Sequence, residues 1–239
     1  IHLIFPFYNE EDSMPLFAQE MEAYLDHNTY VEAITLVNDG SRDRTAILLR
    51  KLIDKWKERY TIQLSLIHLE DNQGKGHALR AGVLASHSDW ILTMDADLAY
   101  SPRLIDQWVE RHGVLQGGKT VYIGSRKLAE SNVEASYLRR LMSRLFSAFV
   151  YRATRLPFAD TQSGFKMYPG EHARQVFAEL REYGFAHDVE ILMRLQKAGV
   201  SIKELPVVCR TQGVSSVHVL RDSWKMVQAI LRLRTYVNE

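Results

Sequence analysis

The sequence predicts an α/β protein whose mostly parallel sheet carries helices on both faces. Three observations predict it. Apolar periodicity alternates between two and about 3.6 along the chain. The order is strand, helix, strand, helix, which favours parallel strands joined by crossovers. The 239 residues are 46% hydrophobic and 25% charged, a globular balance that excludes disorder and leaves ample core.

The elements follow in order. Ile1 to Phe5 reads as a buried strand and Pro15 to Leu25 as a helix with proline near its first turn. Ile34 and Leu36 alternate in a second strand ending at Asn38-Asp39-Gly40. Leu48, Leu49, Leu52, Ile53 and Trp56 form one helical face, and Ile62, Leu64 and Leu66 a third strand. The loop Asn72-Gln73-Gly74-Lys75-Gly76 precedes a helix through Val83, and Trp90 to Met94 is a fourth strand. Ser101-Pro102 reads as an N-cap and first helical residue, with Leu104, Ile105, Trp108 and Val109 facing inward. The second half is less regular. Val121 to Gly124, Gly164 to Tyr168 and Ile202 to Val208 are extended, whereas Ser136–Tyr151, 171–180, 187–198 and Asp222–Tyr236 are helical.

No linker, repeat or low-complexity tract divides the chain, so one domain over residues 1–239 is expected. No run approaches the ~18 apolar residues that span a bilayer. Residue 1 is not methionine, which leaves open an anchor beyond either end. Cys209 is the single cysteine, so no intrachain disulfide forms, and a reducing compartment is compatible. Residues 1–120 hold 12 Lys+Arg against 18 Asp+Glu, whereas residues 121–239 hold 18 against 11. That asymmetry fits a first half that handles a cation and a second that meets an anion.

The strongest local signal is Asp95-Ala96-Asp97 at the exit of the fourth strand. Residues two apart in an extended segment share a side, so both carboxylates can converge where open α/β sheets bind ligands. Two hard oxygen ligands suit Mg²⁺ or Mn²⁺, with a diphosphate supplying further oxygens. Three other strand ends carry polar loops, at 5–10, 37–41 and 72–77. Together they fit a nucleotide site, with Tyr8 against the base, Asp39 accepting a base or ribose hydrogen bond and Lys75 near phosphate or ribose.

These segments also carry a resemblance. Phe5-Pro6-Phe7-Tyr8-Asn9-Glu10, Asn38-Asp39-Gly40-Ser41, Gly74-Lys75-Gly76 and Asp95-Ala96-Asp97-Leu98 recur in this order in family 2 glycosyltransferases, which have the GT-A fold. Gly124-Ser125-Arg126, Asp160 with Ser163-Gly164-Phe165-Lys166, and Asp188-Val189-Glu190 look like the dolichyl- or polyprenyl-phosphate glycosyltransferases. The resemblance implies that Pro6, Tyr8, Glu10 and Asp39 hold the nucleotide, and that Asp95 and Asp97 hold the donor diphosphate through the metal. It implies that Arg126, Arg139 and Ser143 face the acceptor phosphate. The chain departs from its relatives at Ala99 (usually Gln in the mannosyl branch), at Asn38 (usually Asp) and at Ser216 (usually Lys).

Without analogy, five arginines (139, 140, 144, 152 and 155) and no acidic residue lie between Ala135 and Phe158, among apolar residues at helical spacing. Such a basic amphipathic helix suits an anionic membrane face. Asp222–Tyr236 repeats the pattern more weakly, with Trp224, Val227, Ile230 and Leu231 beside Lys225, Arg232 and Arg234.

The expected activity is therefore inverting transfer of a hexose to a polyprenyl phosphate. UDP-glucose is preferred over GDP-mannose, because the later motifs look closer to the glucosyl branch. The enzyme is expected at the cytoplasmic face of a membrane, without nucleic acid as a partner. If the acceptor were a hydroxyl, Asp188 would be the base. A catalytically silent sugar-nucleotide scaffold is the remaining alternative. A P-loop is excluded because no Ser or Thr follows Lys75, and the histidines lack zinc-ligand spacing.

Overall fold

The computed structural model describes residues 1–116, 118–133, 137–209 and 226–233, and the side chains of all but 133–142 among them. The first half runs β1 (His2–Phe7), α1 (Met14–Leu25), β2 (Ala33–Asp39), α2 (Thr45–Arg59), β3 (Gln63–Leu69), α3 (Lys75–Leu84), β4 (Trp90–Thr93) and α4 (Leu104–His112). The second runs β5 (Val121–Ser125), β6 (Asn132–Val133), α5 (Tyr137–Thr154), β7 (Lys166–Pro169), α6 (Gly170–Ala178), α7 (His187–Lys197), β8 (Ile202–Pro206) and β9 (Val208–Cys209).

Seven strands form one sheet in the order β3-β2-β1-β4-β7-β5-β8, and β6 pairs with β9 separately. The β1–β2, β1–β4, β2–β3 and β5–β8 pairs are parallel. Only β7 runs antiparallel to its neighbours, wedged between β4 and β5 with Thr93 opposite Lys166. Both halves of the chain thus share one sheet.

Alternation within β1 explains the layering. Leu3, Phe5 and Phe7 point into one core with Phe17, Trp56 and Trp108, whereas Ile4 points into the other with Val37, Leu79 and Ile191. Phe17 sits edge-on to both Phe5 and Phe7, with ring centroids 5.1 and 5.0 Å away. Helices α1, α2 and α4 cover the first face; α3, α6 and α7 cover the second. Pro15 lies in the first turn of α1, where no intrahelical N–H is needed.

Two expectations shift. Helix α4 starts at Leu104 with Arg103 at its N-cap, not at Ser101-Pro102. The carbonyls of Ser101 and Pro102 accept i+3 bonds from Leu104 and Ile105 (3.0 Å each), so a tight turn precedes the helix. In the 226–233 helical segment, Ala229, Ile230 and Leu233 enter the second core, and Leu231 is exposed instead. Trp224, Lys225, Arg234, Arg210 and Ser216 lie outside the described residues.

Candidate active site

Because β1, β2 and β4 are parallel, their carboxyl ends meet at one edge. Chain reversal after β4 is tight: the Leu98 N–H reaches the Asp95 carbonyl (3.2 Å), and Leu98 is buried at φ 49°. That left-handed conformation is uncommon for a branched residue and marks a held turn. It leaves Asp97 exposed and Asp95 half-buried on either side of buried Ala96. Asp97 Oδ1 accepts the Ala99 N–H at 3.0 Å. Loss of water to the neighbouring loops raises the pKa of the Asp97 carboxyl although the residue keeps an open surface, nearby Asp95 raises it further, and the Ala99 hydrogen bond and Lys75 oppose both. Glu10, on the loop after β1, is also raised, by burial first and then, despite its Ser13 hydrogen bond, by the charges of Asp97 and Asp95. The first- and fourth-strand loops therefore share one acidic field.

The loops after β1 and β2 are tied together. The Asn9 N–H donates to Ser41 Oγ (3.0 Å), the Arg42 N–H to Asn9 Oδ1 (2.9 Å) and the Glu10 N–H to Thr45 Oγ1 (2.8 Å). Ser13 Oγ donates to Glu10 Oε2 at 2.6 Å. Pro6 is half-buried near the end of β1, and Tyr8 beyond it is 42% exposed, its ring available to a base. Asp39 is buried, its two oxygens accepting the N–H groups of Gln73 (3.0 Å) and Gly74 (2.9 Å). Its visible role is to shape the loop that delivers Lys75.

Gly74 holds φ 102° with its Cα against the Tyr183 carbonyl, where a Cβ would come within 2.5 Å of the oxygen. Lys75 follows as the first residue of α3, and its ammonium pairs with Asp95 Oδ1. Burial lowers the Lys75 pKa, but Asp95, Asp188 and Asp97 outweigh it and raise it overall.

Asp188 stands in the first turn of α7, whose N-cap is Ala186. It receives a 2.7 Å hydrogen bond from Lys166 Nζ, and Lys166 is fully buried. The same ammonium donates to the Ser163 carbonyl. Burial pushes the Asp188 carboxyl up, but His187, Lys166 and Lys75 outweigh it and hold it below its ordinary value. Burial also keeps the His187 imidazole below its ordinary value. Between Ser163 and Lys166, the Gly164 backbone lies against Asp95 so closely that any Cβ would overlap the carboxylate.

On the acceptor side, Arg126 grips buried Asp160 through Nε (2.7 Å) and Nη2 (2.8 Å), and its own N–H adds a third bond at 3.1 Å. Glu204 in turn accepts the N–H groups of Ala159 and Asp160, each at 3.0 Å. The Arg126 side chain remains 35% exposed, so the fork is oriented yet reachable. Lys127 Nζ reaches the Ser143 carbonyl (3.1 Å) and Ser147 Oγ, tying α5 to the end of β5. Ser143 is thus brought beside this loop through its main chain. The Arg139 side chain lies outside the described residues.

Sequence reasoning gave Asp160 and Lys166 no roles of their own. Lys166 is a lone cation in an apolar strand, which is itself a signal, because a buried lysine needs a partner. Glu190 likewise serves structure, accepting the Glu182 N–H (2.7 Å) and Arg194 Nε (2.8 Å) beneath the loop that contacts Gly76.

Asp95 and Asp97 fit a hard divalent cation in donor chemistry, and the Lys75 ammonium already places a positive charge on Asp95. Among the described residues no three His, Cys, Asp or Glu side chains form a metal-holding group. Two carboxylates would therefore need further oxygens from substrate or water.

Comparison with known proteins places the chain's sequence and fold. The model for "Glycosyl transferase family 2" matches residues 3–177. The chain is 30% identical over 243 residues to a dolichyl-phosphate beta-glucosyltransferase of Dictyostelium discoideum, covering 98% of this chain and 73% of that protein. It is 30% identical over 218 residues to the Homo sapiens protein of the same name, covering 87% and 66%. Among solved structures, glucosyl-3-phosphoglycerate synthase from Mycobacterium tuberculosis with UDP superposes with a TM-score of 0.67 at 15% identity, over 99% of this chain and 79% of that one. A complex of that synthase with Mn²⁺, UDP-glucose and phosphoglyceric acid gives 0.67 at 14% identity, over 99% and 78%. On its sequence and its sheet, the chain belongs to glycosyl transferase family 2 and is a hexosyltransferase with the GT-A fold.

Proposed function

We propose that this enzyme transfers glucose from UDP-glucose to a polyprenyl- or dolichyl-type phosphate, with inversion at the anomeric carbon. The observation that carries this reading is the Lys166–Asp188 pair. A hydroxyl acceptor needs a base free to take its proton, yet the carboxylate expected to serve is buried, already accepts a 2.7 Å bond from Lys166 Nζ, and is held below its ordinary value by the charges around it. A phosphate monoester needs no base, since its second pKa of about 6 leaves it ionised at neutral pH. The names of the curated relatives support the same acceptor and sugar.

In this scheme one phosphate oxygen attacks the anomeric carbon as the bond to the donor's diphosphate oxygen breaks. The bonding pair leaves with UDP, the product is polyprenyl-phosphate glucose, and no proton moves. Pro6, Tyr8 and Glu10 frame the nucleoside, Asp39 holds the loop beside it, and Lys75 meets the diphosphate. Arg126, oriented by Asp160, receives the acceptor phosphate together with Arg139 and Ser143. Asp95 and Asp97 would hold a Mg²⁺ or Mn²⁺, which would supply Lewis-acid neutralisation of the departing diphosphate.

The acceptor's lipid tail calls for a membrane surface, and we assign its docking to α5. Arg144, Leu145, Ala148, Tyr151 and Arg152 are exposed at helical spacing on α5, with Leu145 at 58% and Tyr151 at 52%, and exposed Arg155 follows just past the helix end at φ 62°. That strip pairs cationic heads with apolar rings and stems, as interfacial helices do. Among the described residues no helix is long and apolar enough to cross a membrane. Peripheral attachment at the cytoplasmic face completes the reading.

A panel of UDP-glucose, GDP-mannose and other nucleotide sugars, with Mn²⁺ or Mg²⁺ and with or without polyprenyl phosphate, tests it. Glucose transfer that requires the lipid phosphate and persists in the folded fraction of Asp188→Asn, measured by a thermal melt because the change strands buried Lys166, is expected. Transfer to a sugar hydroxyl that vanishes with Asp188→Asn would refute it.

A further inference from the structure

We infer that the Lys75 ammonium is a resident counter-ion on Asp95 that a divalent cation must displace and that the donor's diphosphate then takes up, coupling metal and nucleotide binding. The inference rests on the reading that metal and diphosphate meet at Asp95, and goes beyond it by assigning the coupling to one side chain.

Asp95 has little freedom to leave its lysine, because the Gly164 backbone is packed on its carboxylate. The main chain of Lys75 is equally fixed: the Gly74 N–H is held by Asp39 (2.9 Å) and the Gly76 N–H by the Tyr183 carbonyl (2.9 Å). The four-carbon stem of Lys75 is the movable part, and its side chain is 28% exposed. A metal arriving alone meets a carboxylate already neutralised, beside an ammonium that repels it. Asp95 and Asp97 offer few ligands without added oxygens. A bound diphosphate reverses both terms, because it supplies oxygens to the metal and a new anionic partner to the lysine. Such coupling is reciprocal by thermodynamic necessity.

The test measures Mn²⁺ dissociation constants by electron paramagnetic resonance, with and without UDP (GDP in parallel), for the wild type, Lys75→Met and Lys75→Arg. Thermal melts confirm that each is folded. Wild type should bind Mn²⁺ weakly alone and on the order of tenfold or more tightly with UDP. Lys75→Met should bind Mn²⁺ alone on the order of tenfold more tightly than wild type and lose most of the UDP enhancement. Lys75→Arg should behave like wild type. If Lys75→Met binds Mn²⁺ alone no better than wild type, the counter-ion role is wrong although the donor site stands. If no form retains Mn²⁺ even with nucleotide, the metal reading and this inference fall together. The expected pattern without transfer to polyprenyl phosphate would uphold the inference and remove only the acceptor.

Discussion

Gly164 lies against the carboxylate of Asp95 with no room for a Cβ atom between them. The Ser163-Gly164-Phe165-Lys166 segment and the Asp95-Ala96-Asp97 turn, far apart in sequence, are thereby two sides of one surface. Gly164→Ala must push the loop or the carboxylate aside. An overpacking cost of about 1–3 kcal/mol is expected, with weakened Mn²⁺–UDP binding. A denaturant midpoint and a UDP titration check it, and an unchanged variant in both would contradict the packing.

Asp97 is exposed, so removing its charge should spare the fold. Asp97→Asn is expected to lower kcat on the order of a hundredfold or more while the melting temperature holds. Glucosyl transfer with Mn²⁺ measures the first and calorimetry the second. Full turnover would end the metal proposal.

Lys166 and Asp188 are a buried pair, and severing one side strands the other. Lys166→Met should cost about 3–5 kcal/mol, whereas Lys166→Met with Asp188→Leu should regain much of it. A double-mutant cycle in urea reports the coupling. Additive losses would mean that the pair is energetically idle.

His2 is buried between Ser86 Oγ (2.7 Å) and Thr35 Oγ1 (2.8 Å). Burial lowers its pKa to about 4. The folded value lies below the unfolded value of about 6.5, so the unfolded chain binds the proton more readily. The contribution is fully present above pH 6.5 and is lost as pH falls toward 4, amounting to about 3 kcal/mol. His2→Asn should flatten stability across that window, as read by urea denaturation at several pH values. An equally steep profile in the variant would place the titration elsewhere.

The α5 strip should carry membrane attachment. Replacing Arg144, Arg152 and Arg155 with Glu should abolish sedimentation with anionic vesicles, since each basic residue near the surface is worth about 1 kcal/mol. Transfer to a short, water-soluble polyprenyl phosphate should persist. Vesicle binding unaffected by the triple change would put the contact on another face.

The sequence alone was enough for the sheet and its carboxyl edge. A continuous apolar run at Ile1 to Phe5, period-2 alternation at Ile62, Leu64 and Leu66, and the strand–helix order favour parallel pairing, and strand exits put Tyr8, Asp39, Lys75 and Asp95 at one rim. Local chemistry also singled out Asp95 and Asp97 as a candidate cation site. Other features needed the third dimension, because they join residues that chain order does not bring together. The antiparallel insertion of β7 follows from which edge was left free beside β4. The Arg126–Asp160 fork, the burial of Lys166 against Asp188 and the pressing of Gly164 onto Asp95 all depend on that insertion. Side-chain identity reveals which groups are able to pair, whereas only packing decides which partners are near enough to exclude water between them.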